Sequence, residues 1–504
     1  MIYLSKSKYC GLWQCPKIAW MAKYKPEEVV LDPKVKTRLD AGNVVGDLAM
    51  GLFGDFVEVT AYNGEKLDLT KMIENTKTEM AKGTNVICEA SFQYNGLYCA
   101  VDILKKENGG YAIYEVKSSS KTEEDKKDDR PVYIADVAYQ KYVLEKCGIN
   151  VTGTYLVNLN KDYVFDGTLD LNKLFVITDV ADEIKVEEAN IKQNLDEAEI
   201  MLASDKEPNV PIDKKCKNPY LCGFWQYCSN HLPKPSVFNL HSIHFSTAIK
   251  HYKNGLTSYE DLLKSGAITN EKHIRQMEHY LNDLPDYVDK ANVKEFLNKL
   301  TYPLYFLDFE TIQTVIPEFK GTKPYTQVPF QYSLHYIEYE GGPLLHKEFL
   351  AESGKDPLRA IAERLCEDIP KNVRVVAYYK SFECTRLKEL AEYFPDLSEH
   401  LLNIKENVED LLEPFSTGYY YNKKMGGSFS IKSVLPALFP DDDELNYKNL
   451  ELIHNGAEAM TIFPKIKDMP YDEAEFMRKR LLEYCKLDTY AMVKLWEKLN
   501  EAVK

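Results

Sequence analysis

The sequence has no run of eighteen or more uncharged apolar residues, so it offers no helix to span a bilayer. Its first residues, MIYLSKSKYCGLWQCPK, lack the apolar stretch of an export signal. A soluble, cytoplasmic protein with no membrane partner is the expectation. No self-similarity recurs at a fixed period, which excludes a solenoid or propeller. No G-x-x-x-x-G-K-[ST] occurs, which excludes a P-loop motor. Basic side chains are the minority, 63 Lys and Arg against 78 Asp and Glu, a formal charge of −15. That balance argues against wholesale coating of a polyanion. It leaves open a site built from carboxylates, which lowers the net charge while local lysines meet phosphate. Eleven cysteines without an export signal argue against a disulfide framework and for free thiols or metal ligands.

The chain has 504 residues, 44% hydrophobic and 28% charged, with 24 Gly and 23 Pro. This is ordinary globular composition at a length that favours two or three domains over one. Residues 1–235 mix strand-like runs, VICEASF, LYCAVDIL and YAIYEVK, with helical stretches. Residues 236–300 keep helical spacing without alternation and read as a connector. Residues 301–504 open on the strand YPLYFLDFE, continue with alternating FQYSLHYIEYE, and close on a long helix. Both flanking zones read as α/β. The balanced charges of Lys117–Arg130 read as a solvated loop or helix start.

In VDILKKENGGYAIYEVKSS, Asp102 ends one β-run, and Glu115 and Lys117 share one face of the next. Two neighbouring strands could present both carboxylates to one divalent cation, with Lys117 beside them to orient water and stabilise charge on a phosphate. Gln140, early in the helical YQKYVLEKCGI, could reach the bound water or a phosphate. Cys216, Cys222 and Cys228 are spaced by five residues each amid turn residues. With Cys15 as the fourth thiolate, and Cys10 as its competitor, they suit a metal or cluster. Cys88, Cys99, Cys147, Cys366, Cys384 and Cys485 sit in apolar runs and read as buried thiols.

This ordered set resembles the RecB-like PD-(D/E)xK nucleases whose restriction-endonuclease-like fold is pinned by an iron–sulfur cluster, including CRISPR-associated members. The resemblance covers about residues 1–230. It implies that Asp102 and Glu115 hold Mg²⁺ or Mn²⁺, that Lys117 is catalytic, that Gln140 is the helix glutamine, and that Cys15, Cys216, Cys222 and Cys228 bind a 4Fe-4S cluster. Two departures stand in the chain. Both intervals between the last three cysteines are five residues, which keeps zinc open, and Gly46 occupies a first-helix position where many members carry His.

In LYFLDFETIQ, Asp308 and Glu310 share one face of a strand-like run, a natural half of a two-metal site. Far downstream, Tyr484 and Asp488 fall at i and i+4 of one helix face. Glu383 follows a strand and opens a helix. The order DxET, then xFE, then YxxxD resembles the DnaQ-like exonucleases of the RNase H-like superfamily, over about residues 302–504. The resemblance implies that Asp308, Glu310, Glu383 and Asp488 bind two Mg²⁺ or Mn²⁺ while Tyr484 positions the attacking water. Glu383 is longer by a methylene than the usual Asp, and Tyr379 stands where Asn is frequent. Ser430 and Lys432, in KMGGSFSIKSVLPALFP, are candidates for holding a strand backbone, and Gly426-Gly427 reads as a turn.

The expectation is a metal-dependent exonuclease trimming ends of single-stranded DNA, rather than RNA, in DNA repair, phage defence or spacer maturation. Lacking a motor, it would take frayed ends or the output of a helicase partner. The alternative is a nucleic-acid-binding scaffold in which one nuclease domain, the first, has lost turnover. The 35 tyrosines read mainly as core aromatics, and His241, His244 and His251 as structural.

Overall fold

The computed structural model describes residues 4–31, 33–122, 131–218 and 220–504; most of the balanced charge run, residues 123–130, lies outside them. The fold is mixed α/β with several sheets, divided into two compact units. The first comprises Met1–His231 with Val315–Tyr325, and the second Leu232–Thr314 with Thr326–Lys504. The predicted connector therefore folds as part of the second unit. Residues Val315–Tyr325 belong with the first, where the Tyr325 hydroxyl donates to the Ser118 carbonyl at 2.6 Å. Among the described residues no helix is long and apolar enough to cross a membrane.

The first unit is built on strands β1 (Val86–Tyr94), β2 (Leu97–Glu107), β3 (Gly110–Lys121), β4 (Val151–Asn160) and β5 (Phe175–Asp179), hydrogen-bonded in that order. Two hairpins join β1 to β2 and β2 to β3. Each turns on an Asn-Gly pair with positive φ at both residues, 44° and 84° at Asn95-Gly96 and 52° and 75° at Asn108-Gly109. This twist matches that of the flanking strands. β3 runs parallel to β4, joined by the crossover helix α2 (Pro131–Lys146), which buries Ile134 to Gln140, Val143 and Leu144. Helix α1 (Lys6–Gln14) precedes the sheet in sequence.

The sheet forks. β2 and β3 pair only from Ile103–Tyr114 to Glu107–Gly110, after which β3 continues on β4 alone. On the other arm β2 takes a short parallel partner, Leu4–Ser5, at Leu97 and Tyr98. Asp102 stands at the crotch, and its Oδ2 accepts the Val116 amide at 2.7 Å, supplying the partner that the departing strand no longer provides.

The second unit holds strands β6 (Leu304–Gln313), β7 (Gln327–Ile337), β8 (Leu345–Leu350), β9 (Arg374–Ala377) and β10 (Val408–Asp410), ordered β8-β7-β6-β9-β10. The β8-β7-β6 part is antiparallel, and β9 and β10 add parallel to β6. A register shift follows Glu310, where Pro329 faces Thr311. β7 has no β8 partner there, so the missing proline N–H costs no ladder bond on that side. The helices used below are α3 (Ser381–Tyr393), α4 (Ile431–Leu438), α5 (Gly456–Ile462) and α6 (Tyr471–Ala502). α6 buries Leu481, Tyr484, Cys485, Asp488, Met492, Leu495 and Leu499 against β6 and β7, a stripe at helical period that carries two polar side chains into the core.

Gly426 and Gly427 have φ of 62° and 81°, the turn read from sequence. A Cβ on Gly427 would sit 2.1 Å from the Asn239 carbonyl, so that approach needs glycine. Cys88, Cys99 and Cys485 are fully buried, whereas Cys147, Cys366 and Cys384 are only half-buried.

Candidate functional site

The first unit brings Asp102, Glu115, Lys117 and Gln140 together. Glu115, 2% exposed, is the hub. Lys117 Nζ donates to its Oε1 at 2.7 Å, and Gln140 Nε2 to its Oε2 at 2.7 Å. Burial, and then the charges of Asp102 and Asp136, push the Glu115 carboxyl well above its ordinary value. Three residues absent from the sequence reading complete the cluster. Asp136 sits one turn before Gln140 on α2 and accepts Lys117 Nζ at 2.6 Å and Gln140 Nε2 at 2.9 Å. Burial works to raise Asp136, but Lys117 and Lys6 hold it below the carboxylate range. Its i−4 spacing from Gln140 was a usable signal.

Lys6 carried no signal. Its Nζ lies 3.2 Å from Asp102 Oδ1 and 3.0 Å from each oxygen of Glu115. Glu89 faces Asp102 across the gap between the registered pairs Cys88–Ile103 and Ala90–Val101, at a left-handed φ of 57°. Burial and then Asp102 push Glu89 up to about 7. Gln140 Oε1 is buried without a hydrogen-bond partner. Two strand carboxylates, a buried lysine and an orphaned amide oxygen fit a divalent cation with bound water. Gly46, on the helix Pro33–Ala49, supplies no side chain.

The four predicted cysteines also converge. Cys15 caps the end of α1, and Gln14 Nε2 donates to the carbonyls of Lys215 and Tyr220 at 3.1 and 2.8 Å, tying that end to the downstream loop. Cys15, Cys216, Cys222 and Cys228 line one pocket walled by Ile18, Met21, Ile212 and Phe224. Cys10 is not in that lining; its Sγ points to the Val132 carbonyl at 3.9 Å. Burial, then the neighbouring thiols, pushes Cys222 up to about 11, a cost that a bound cation reverses. Four thiols lining one pocket are the donor set of either a tetrahedral zinc or an iron–sulfur centre.

In the second unit Asp308, Glu310 and Asp488 each turn a ligand atom into one space, all within 4.8 Å of one another. Glu383, at the start of α3, stands outside that spacing but within the field of Asp308 and Glu310. Its Oε2 is buried without a hydrogen-bond partner. Burial, then mutual repulsion, drives Asp308 and Glu310 far above the carboxylate range. Burial raises Asp488 to about 6 against the bond from Tyr447, and burial raises Glu383 to about 8. Lys432 opposes this repulsion at Glu310 and Asp488 only in part, and such a set fits divalent cations.

Tyr447 was missed. Its hydroxyl donates to Asp488 Oδ1 at 2.6 Å, from a short 3₁₀ turn with no motif. Tyr484 is buried beside it, with the rings 6.1 Å apart. Lys432, on α4, places Nζ 3.5 Å from the Tyr484 hydroxyl and 3.1 Å from the His454 carbonyl, so it serves the site, while Ser430 bonds Ser428 and Ser433. Gly456, opening α5, lies where a Cβ would be 3.2 Å from Glu310 Oε2.

Two comparisons bear on this chain. A family model described as "Domain of unknown function (DUF2779)" matches residues 305–430. That span takes in Asp308, Glu310 and Glu383 and ends before Tyr447, Tyr484 and Asp488. "Uncharacterized protein UU173" of Ureaplasma parvum serovar 3 is 27% identical over 229 residues, 40% of this chain and 32% of that protein. "Uncharacterized protein MG366 homolog" of Mycoplasma pneumoniae is 25% identical over 215 residues, again 40% and 32%. "Uncharacterized protein MG366" of Mycoplasma genitalium is 25% identical over 229 residues, 42% and 34%. The chain thus spans about a third of the length of these relatives.

Proposed function

We propose that the chain is a metal-dependent nuclease that hydrolyses phosphodiester bonds at the ends of single-stranded DNA. The observation that carries this reading is the convergence of Asp308, Glu310 and Asp488 within 4.8 Å, with the orphaned Glu383 oxygen beside them. Carboxylates this close and this buried cannot all be ionised unless cations lie between them. In this reading the second unit is a DnaQ-like, RNase H-like exonuclease, and the first is RecB-like PD-(D/E)xK with an iron–sulfur centre on its four cysteines.

Mg²⁺ or Mn²⁺ at the carboxylates would acidify a water and stabilise charge on the phosphate. The chain's own groups have separate tasks. Tyr484 holds the attacking water by its hydroxyl, Lys432 offsets phosphate charge at the same edge, and Tyr447 fixes the Asp488 oxygen that must point inward. In the first unit Lys117, bonded to both Glu115 and Asp136, stays protonated and can meet a phosphate oxygen.

The test is an anaerobic preparation with 5′- and 3′-labelled single-stranded and duplex DNA and Mg²⁺ or Mn²⁺, comparing wild type with Lys117→Ala, Asp308→Ala and the double variant. Loss of a distinct part of the product ladder in each single variant is the expected result. Persistence of all cleavage in the double variant overturns it.

A second reading has one observation in its favour, the Lys6 ammonium between Asp102 and Glu115. In it the first unit holds nucleic-acid ends, for the second unit or for a helicase partner, without cutting them. Lys117→Ala would then leave the ladder unchanged.

A further inference from the structure

Lys6 is fixed to the fork by its backbone. The preceding Leu4 is fully buried, pairs with Leu97, and its carbonyl accepts the Tyr139 hydroxyl at 2.8 Å. Ser5 caps α1, so Lys6 opens that helix with its stem aimed at the gap between β2 and β3. Its ammonium bonds Asp102 and both oxygens of Glu115 at once. That is the arrangement of oxygens a metal would use, filled by a monovalent cation.

Lys117 behaves differently. It bonds one oxygen of Glu115 and turns its remaining bond to Asp136, with none to Asp102. Among the described residues only Lys6 bridges the predicted ligand pair. Four carboxylates, Asp102, Glu115, Asp136 and Glu89, surround two ammoniums, Lys6 and Lys117. A divalent cation at Asp102 and Glu115 would stand against the Lys6 ammonium bonded to the same oxygens, and withdrawing Lys6 removes that repulsion. The Lys6 side chain is 21% exposed.

We propose that Lys6 is an internal counter-ion that competes with divalent metal for Asp102 and Glu115, so that loading the first unit requires its ammonium to leave. The inference rests on the reading of those two carboxylates as cation ligands. It makes Lys6 a positioning residue that sets the metal concentration at which the first unit is loaded.

The test is Mn²⁺ binding to the full chain, followed by the electron paramagnetic resonance of free Mn²⁺. Asp308→Asn with Asp488→Asn serves as background, to silence the second unit. Lys6→Met should bind Mn²⁺ about tenfold or more tighter than the background chain, and Lys6→Arg no tighter. Thermal melting gives an independent reading. Lys6→Met should melt lower without metal, its carboxylates having lost their counter-ion, and gain more from Mn²⁺ than the parent does. Equal or weaker binding by a folded Lys6→Met, with binding still abolished by Glu115→Gln, overturns the competition alone. Binding that Glu115→Gln leaves untouched overturns the ligand reading and the proposal with it.

Discussion

Tyr447 donates its hydroxyl to Asp488 Oδ1 at 2.6 Å, joining a loop turn to the middle of the last helix. The bond fixes which oxygen of Asp488 faces Asp308 and Glu310. Tyr447→Phe keeps the ring and removes the donor. We expect Mn²⁺ affinity at the second unit to fall about 10- to 100-fold, with stability down about 1–2 kcal/mol. Titration calorimetry and urea unfolding measure both, and an unchanged affinity would reduce Tyr447 to packing.

Asp308→Asn should separate stability from metal binding. The four carboxylates have folded-state proton affinities above their unfolded ones, Asp488 at about 6 and Glu383 at about 8. The folded state therefore binds more protons, and without metal the second unit loses stability as pH rises from about 4 through 8. Asp308→Asn removes one repelling charge. Metal-free melting of the second unit at pH 8 should rise, while its own share of the Mn²⁺ stabilisation should vanish. A lower melting point in metal-free buffer would contradict the repulsion argument.

Glu207 has the opposite sign. Its Oε1 meets Lys17 Nζ at 2.5 Å, and its Oε2 accepts Lys25 Nζ at 3.1 Å and the Tyr227 hydroxyl at 2.7 Å. The Lys17 bond holds the carboxyl at about 2 against the opposing effect of burial, with the Tyr227 and Lys25 bonds adding smaller contributions. Its contribution is present above about 4.5 and lost as pH falls toward 2. Glu207→Gln should destabilise the first unit at pH 7 and flatten its acid limb. Melting curves between pH 2 and 6 check this, and parallel limbs for both proteins would refute it.

The cysteine pocket predicts a metal content. Anaerobic protein should absorb broadly in the visible and carry about four irons per chain rather than one zinc. Cys222→Ser should bleach that absorption and lower the melting point of the first unit. Elemental analysis returning one zinc and no iron would replace the cluster by a mononuclear zinc site.

Much of both candidate sites is legible in the sequence. Asp102, Glu115 and Lys117 lie on alternating strands of hairpins, where period two dictates the shared face. Tyr484 and Asp488 lie one helical turn apart, and the cysteines are few enough for spacing to single them out. Lys6 and Tyr447 are not, because each reaches its partner across a tertiary gap. Lys6 and Asp102 are 96 residues apart, and Tyr447 and Asp488 are 41. Glu89 became visible only through a left-handed residue inside a strand.

The sequence by itself determined two α/β zones, the residue types of each site and the four thiols, because local periodicity and side-chain chemistry are properties of short segments. Tertiary structure alone decided the rest. Where β3 leaves β2, a backbone N–H is freed for Asp102 and a space opens that Lys6 fills. The sheet of the second unit, packed against the last helix and its neighbours, then sets how closely three carboxylates must approach, and so how strongly they need a cation.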